Sequence, residues 1–335
     1  MIKLRQNQID ALQKSIDNDF ESGIHYHATG TGKSWIAMYL LKEYNMKYKN
    51  NNILWICESK DILKQQFDKK ILEERDFNNI VNNFCVYNFV EKKNSDWFNN
   101  LNSARYWDMP FLCIINRSYL TIKNKYKFIR PKIDLIIHDE CHSIENKSTK
   151  EFYDWILETH PSCKIIGFSA TPELLYPLDK IISTYNIYDG FKDNVILPPK
   201  IVWIKSEHEY ITEHVINIIK DEINKLYYKK IIVWCGMIEE CISVGNLWKN
   251  YFEDYKLCID FCNIDPKKHS SFKNYNDFYN TDKNTILFCA VKHREGSDIP
   301  NIDGCIFLDK VEKRSKRMFI QSMGRVLRKD KLKKK

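Results

Sequence analysis

HATGTGKSWIAMYL, residues 27–40, runs a glycine-rich loop straight into an apolar helix, and its reading decides the fold. Gly30 and Gly32 can take backbone angles closed to other residues and so aim N–H groups inward at a phosphate. Thr29 and Thr31 interleave with them. Lys33 would reach β- and γ-phosphates, the Ser34 hydroxyl suits a magnesium ion, and a helix beginning at Ser34 turns its positive end to the same anion. The strict pattern G-x-x-x-x-G-K-[ST] wants glycine where His27 stands. Alone, the stretch therefore leaves an ordinary glycine turn open as the alternative, although the strand-like GIHYHA before it favours the phosphate reading.

A second stretch, IDLIIHDECH at 133–142, places Asp139 and Glu140 just past an apolar strand, at the edge where open parallel sheets bind ligands. Asp139 suits hydrated magnesium and Glu140 suits polarising an attacking water. Adjacent acids at a strand end also cap helices. The glycine loop about 105 residues upstream favours the catalytic reading.

Outward from these two points, short apolar runs alternate with helix-length stretches. The strand candidates are NILWIC, FLCII, IDLIIHDE and CKIIGFS, then KIIVWC, KLCID, TILFCA and GCIFLD. Continuous apolar strands separated by helices predict a parallel sheet covered on both faces. Pro198 and Pro199 interrupt the series, because proline sits neither in a helix interior nor in a central strand. The prediction is an α/β protein of two lobes in tandem, about 195 residues before the break and about 140 after it.

Together, ATGTGKS and DECH resemble motifs I and II of superfamily 2 helicases and translocases, whose first motif reads A-x-x-G-x-G-K-[ST]. Ala28 fills that alanine, so the resemblance leaves His27 outside the required pattern. The remaining motifs follow in order from Leu4 to Arg328. LRQNQIDAL resembles the adenine-reading Q motif, which implies that Gln8 hydrogen-bonds the base with help from Arg5. ILWICESKDILKQQ resembles motif Ia and implies nucleic-acid contacts at Ser59 and Lys60. CIINRSYL resembles motif Ib and implies phosphate contacts at Asn116, Arg117 and Ser118. GFSATP resembles motif III, in which Ser169 and Thr171 couple hydrolysis to domain movement.

The second lobe continues the likeness. IIVWCGMIEE resembles motif IV, with Gly236 as a nucleic-acid contact. REGSDIP resembles motif V, with Gly296 and Asp298 near the nucleotide. FIQSMGRVLRK resembles motif VI, Q-x-x-G-R-x-x-R, in which Gln321, Arg325 and Arg328 approach the γ-phosphate across a cleft. His142 is expected to link nucleotide to motif VI. Motif V commonly carries a threonine where this chain has Ala290, so one hydroxyl contact is missing; Lys292, His293 and Arg294 are either substitute phosphate contacts or solvated charges. DECH, GFSATP and the motif VI region resemble the branch of restriction-enzyme motor subunits and excision-repair helicases more than the DEAD-box RNA helicases.

The resemblance implies two tandem RecA-like domains, 1–195 and 200–335, using ATP and Mg2+ to drive helicase or translocase movement on nucleic acid, DNA favoured over RNA. The alternatives are a motor subunit that does not unwind, completed by a partner, and a nucleic-acid-binding module with a degenerate ATPase. The end of the chain, seven residues after Arg328, leads to an expectation of a minimal motor, a truncated one, or one completed by a partner or a further C-terminal element.

Bulk properties agree. The chain has 335 residues, 44% hydrophobic and 13% aromatic, which argues against disorder. From Lys310 to Lys335, twelve Lys or Arg stand against Glu312 and Asp330, a local +10 that leaves −2 elsewhere. Such a basic end suits a polyanion, or is a solvated tail. The eleven cysteines sit mostly in apolar strand-like runs without zinc spacing, so buried thiols are expected. No apolar run is long enough for a membrane span, and the start lacks a secretory signal. The expected location is intracellular, cytoplasmic or nuclear, or in a virion if virus-encoded, and not secreted.

Overall fold

The computed structural model describes residues 3–57, 84–89, 97–104, 109–171, 176–204, 212–261, 264–265, 269–290, 293, 299–308 and 316–329. The chain forms two compact units, Met1–Asp193 and Asn194–Lys335.

The first unit runs α1 (Gln6–Asp17), β1 (Gly23–His27), α2 (Lys33–Lys47), β2 (Ile53–Cys57), β3 (Cys85–Asn88), α3 (Trp97–Ala104), β4 (Phe111–Asn116), α4 (Arg117–Thr121), β5 (Leu135–Asp139), α5 (Lys147–Thr159), β6 (Lys164–Ser169), β7 (Ile181–Tyr185) and α6 (Ile187–Lys192). Its seven strands pair in the order β3-β4-β2-β5-β6-β1-β7, and every pair is parallel. Residues of one strand alternate between two cores. Ile53 and Trp55 of β2 pack with Ile36, Leu40 and Leu41 of α2, whereas Leu54 and Ile56 pack with Phe152 and Ile156 of α5. Burial on both faces is why β2, β4 and much of β5 read as continuous apolar runs. Each fully buried Leu or Ile contributes about 1.5–3 kcal/mol relative to exposure.

The second unit runs α7 (Glu213–Lys225), β8 (Lys230–Cys235), α8 (Ile238–Trp248), β9 (Lys256–Asp260), α9 (Tyr275–Tyr279), β10 (Thr285–Ala290), β11 (Gly304–Phe307) and α10 (Lys316–Val326). Its four strands pair in the order β11-β8-β10-β9, again all parallel. Ile231 and Val233 of β8 face Ile219 of α7 and Val244 of α8, while Ile232 and Trp234 point to the opposite core.

Besides β1, whose GIHYHA reads as strand-like without being an apolar run, two strands lie outside the apolar runs picked from the sequence, β3 and β7. Both are sheet edges. β7 leaves Ile181 and Thr184 exposed and carries Ser183 and Thr184, so its apolar run is broken. The chain passes from the first unit to the second at Asp193–Asn194, just before the prolines. Ile196 bridges Arg328 and the Leu197 N–H donates to the Leu327 carbonyl at 2.8 Å, which stitches residues 196 and 197 into the second unit.

Candidate functional site

β1 delivers the chain to the C-terminal edge of the first sheet, and the glycine loop turns it back into α2. Gly30 and Gly32 have φ of 85° and 89°, the left-handed region that glycine enters without penalty. At Gly32 a side chain is excluded a second way, since a Cβ would overlap Gln8 Nε2. The Thr31 hydroxyl donates to the Ala28 carbonyl at 2.7 Å and closes the loop. Thr29 is buried, and its Oγ1 has no hydrogen-bond partner among the described residues. α2 begins at Lys33, one residue before the expected start, with Gly32 as its N-cap. Lys33 is 9% exposed. Its Nζ donates to the His27 carbonyl at 3.2 Å and stands 3.8 Å from Glu140 Oε1.

Gln8 makes its contacts within the first unit. Its Oε1 accepts the Arg5 N–H at 2.9 Å, and its Nε2 donates to the Thr31 and Gly32 carbonyls at 3.4 and 3.3 Å. The side chain thus caps α1 and braces the glycine loop. Arg5 enters through its backbone as the N-cap of α1.

The acidic pair sits where β5 ends, with β2 and β6 on either side. Asp139 is buried, and its carboxyl is pushed up to about 6, first by burial and then by the neighbouring Glu140 charge, with Lys33 opposing. Glu140 adopts φ 56° and ψ 49°, a left-handed conformation that costs a non-glycine residue of order 1–2 kcal/mol. Such strain collects at functional sites. The turn swings His142 back so that Nδ1 lies 3.4 Å from Glu140 Oε2. Lys33, Asp139, Glu140 and His142 therefore gather around one strand edge. Ser169, at the end of β6, bonds Thr171 through its hydroxyl at 3.2 Å.

The comparisons match the stretch of chain that carries this cluster and most of the second unit. The family model described as the type III restriction enzyme res subunit matches residues 1–174, and that of the helicase conserved C-terminal domain matches residues 214–330. The chain belongs to this superfamily 2 helicase and translocase family. Solved structures share the fold. The ATP-dependent Type ISP restriction-modification enzyme LlaBIII bound to DNA matches with a TM-score of 0.71 at 15% identity, over 99% of this chain and 27% of that one. A fragment of a putative HsdR subunit of a type I restriction enzyme from Vibrio vulnificus YJ016 matches at 0.63 and 19% identity, over 97% and 61%. S. cerevisiae Dbp5 bound to RNA and ADP BeF3 matches at 0.59 and 12% identity, over 96% and 80%. This superfamily 2 chain thus spans less than two thirds of either restriction-enzyme chain. No curated protein sequence matches it significantly. Both units have the RecA-like arrangement of the superfamily, a parallel sheet between helices.

In the second unit of this superfamily 2 chain, Gln321 and Arg325 lie on α10 one turn apart and hence on one face. Both are buried, and Gln321 Oε1 has no partner among the described residues. Arg328 follows the helix, its backbone bridged to Ile196. The Gly236 N–H already donates to Glu240 Oε2 at 2.7 Å, in the cap of α8, so that backbone donor is engaged within the unit. Asn116 serves as N-cap of α4, its side chain accepting the Ser118 N–H at 2.9 Å. Arg117 reaches Thr149 at 3.3 Å. Ser59, Lys60, Lys292, Gly296 and Asp298 lie outside the described residues.

Sequence reading missed the polar connections beneath the loop. His27 Nε2 and His25 Nδ1 each lie 2.7 Å from the Ser183 hydroxyl of β7, and His25 Nε2 lies 2.9 Å from Ser15 Oγ of α1. His27 also stacks on Tyr185. No local signal could pair residues 158 positions apart. The described cysteines are all free thiols, most of them buried. Among the described residues no helix is long and apolar enough to cross a membrane, and no group of three or more His, Cys, Asp or Glu is positioned to hold a metal ion.

Proposed function

We propose that this chain is an ATP-hydrolysing motor that moves along a nucleic-acid strand, DNA in preference to RNA, inside the cell. The observation that carries the reading is the convergence of Lys33, Asp139 and Glu140 at one parallel-sheet edge, with Lys33 Nζ 3.8 Å from Glu140 Oε1 in a largely buried setting. Helicase-family domains imply nucleotide hydrolysis in general. Lys33 binds the β- and γ-phosphates, the loop amides cradle them, and Glu140 orients and deprotonates the attacking water. Arg325 and Arg328 supply charge to the γ-phosphate as it transfers, with Gln321 offering a neutral hydrogen bond beside them, and arginine suits this because its planar fork stays charged. Ser169 and Thr171 couple the hydrolysis state to movement.

The donor set fits magnesium. Ser34 and Asp139 offer hard oxygens, and a buried carboxylate raised by its acidic neighbour is stabilised by a cation. Bound magnesium would neutralise phosphate charge. Thr29, Gly30, Thr31 and Gly32 line the nucleotide, and Gln8 with Arg5 braces the loop that holds it. Arg117 and Ser118 at the start of α4, with Ser59, Lys60 and Lys292, contact the nucleic-acid backbone.

The preference for DNA rests on the resemblance of the motifs to restriction-enzyme motors and on the matching type III restriction enzyme res subunit model, since the fold itself is shared with structures solved on DNA and on RNA. A second reading, a translocating subunit without unwinding that relies on a partner or further domains, is favoured by the 27% and 61% of the restriction-enzyme chains that this one spans. The test is ATP hydrolysis at fixed low salt with no polymer, single-stranded DNA, duplex DNA and single-stranded RNA, using Glu140→Gln as blank. Strong stimulation by one polymer supports a coupled motor and identifies its track. Hydrolysis that depends on Glu140 but ignores every polymer sinks the coupled motor, and no hydrolysis at all returns the degenerate binding module.

A further inference from the structure

His138 occupies an unusual place. It is fully buried on β5, the strand that ends in Asp139, in the interior of a seven-stranded sheet. An imidazole there is tolerable only with partners, because an unsatisfied buried polar group costs about 1–3 kcal/mol. It has them on both sides. Nδ1 lies 2.8 Å from the Tyr153 hydroxyl, with the rings stacked, and Nε2 lies 3.1 Å from Ser143 Oγ. Each partner is a hydroxyl that can donate or accept, so either tautomer is satisfied.

The two partners belong to different parts of the unit. Ser143 is in the short 3-10 turn Cys141–Glu145, which begins immediately after Glu140. Tyr153 is on α5, four residues after Thr149, so the two share one helix face. Both are fully buried. Thr149 Oγ1 accepts from Arg117 Nη1 at 3.3 Å, and Arg117 opens α4. Phenylalanine at 153 and valine at 149 would fill nearly the same space, so packing alone does not require these hydroxyls. Polar contacts therefore run from the turn that bears Glu140 through His138 to Tyr153, and from Thr149, one turn back on the same face of α5, to the start of α4.

We propose that Ser143, His138, Tyr153 and Thr149 are positioning residues, which transmit occupancy of a phosphate at Arg117 to the geometry of the Asp139–Glu140 turn. The inference rests on the motor reading above, in which α4 touches the nucleic-acid backbone. Glu140 stands in a strained left-handed conformation, and relaxing it would give the turn a second arrangement. Loading Arg117 would bias that choice through α5. Spatial continuity does not by itself establish coupling, so the decisive quantity is an interaction energy between sites.

The experiment uses the full chain and measures hydrolysis with and without saturating polymer, together with polymer affinity and thermal melting, for wild type, Tyr153→Phe, Thr149→Val and the double variant. The expected result is unstimulated hydrolysis within about twofold of wild type and unchanged polymer affinity, while fold-stimulation drops about 2- to 30-fold in each single variant. The double variant should lose no more than the worse single, because both cut one path. Thr149→Ser, which keeps the hydroxyl, should restore stimulation. Stimulation that survives in both single variants overturns the proposal. So does a parallel fall in stimulated and unstimulated rates, or losses that simply multiply, since those mark a structural role. A wild type that no polymer stimulates is a failure of the motor reading itself, visible before any variant is compared, and it removes the coupling with it.

Discussion

The two units carry their proposed functional side chains on different scaffolds. In the first, Lys33, Asp139, Glu140 and Ser169 sit at or just beyond the ends of parallel strands, and the chain there is held by polar contacts with distant segments. In the second, Gln321 and Arg325 ride one turn apart on α10, where the helical period alone fixes their shared face. A strand-edge site depends on long-range partners, whereas a helix-face site carries its geometry in its own spacing. The sharpest way to break this contrast is to separate binding from turnover. Lys33→Ala should lose both nucleotide binding and hydrolysis, about 10²–10³-fold in rate. Arg325→Lys should keep nucleotide affinity while losing about 10³-fold or more in turnover, because an ammonium cannot reproduce the planar fork. Binding of a fluorescent ATP analogue alongside steady-state hydrolysis checks the pair. Equal loss of affinity in both variants would end the division of labour.

Acid should also distinguish the units. Burial holds His25 well below the usual histidine range and brings His27 down to about 3, with Lys33 a further cause for His27. Both rings are neutral when folded but take up protons near pH 6.5 once unfolded. The unfolded chain therefore binds more protons below pH 6.5, and stability falls as pH falls. The contribution is complete above about pH 6.5 and is lost towards pH 3, where His27 alone accounts for on the order of 4 kcal/mol. Hydrogen exchange on the full chain should show β1 amides opening before those of β8 as pH drops from 6.5 to 4. Simultaneous opening would mean that the Ser183 network does not govern the first unit's acid response.

Two glycines give a smaller and more local comparison. Gly32→Ala forces a side chain into φ 89° and into Gln8, so it should weaken ATP binding and destabilise the first unit by about 1–3 kcal/mol. Gly245→Ala lies within α8, where a Cβ would meet Phe272 at 2.8 and 3.0 Å. Its overpacking should cost about 1–3 kcal/mol, less the roughly 1 kcal/mol of improved helix propensity. ATP affinity should stay at the wild-type value in Gly245→Ala. Urea melts paired with nucleotide titrations distinguish the two, and loss of affinity in Gly245→Ala would contradict the assignment.

How much of this was readable follows from the same physics. Buried parallel strands are apolar throughout, so β2, β4, β5, β6 and the four strands of the second unit stand out in the sequence. Edge strands are half wet, and β3 and β7 vanish among polar residues. Motif residues reveal chemistry but not posture. Nothing in QNQID says that the Gln8 amide turns onto the glycine loop, because the contact joins residues 23 and 24 positions apart. The histidines of GIHYH and LIIHD were visible, but their serine and tyrosine partners were not.

The smallest effect tests a residue with two competing roles. Asn116 caps α4 through the Ser118 N–H, and the motif Ib resemblance makes it a phosphate contact as well. Asn116→Ala should cost about 1 kcal/mol of stability by removing the cap. Asn116→Asp separates the roles, because a carboxylate accepts the same N–H and favours the positive helix end. Its stability should match wild type or exceed it by a few tenths of a kcal/mol. A phosphate at α4, however, would meet a like charge. If Asn116 touches nucleic acid, the aspartate variant binds the polymer more weakly at low salt, and the deficit shrinks as salt screens it. If it only caps the helix, polymer affinity is unchanged at every salt concentration, and Arg117 and Ser118 then carry the contact at the start of α4 without it.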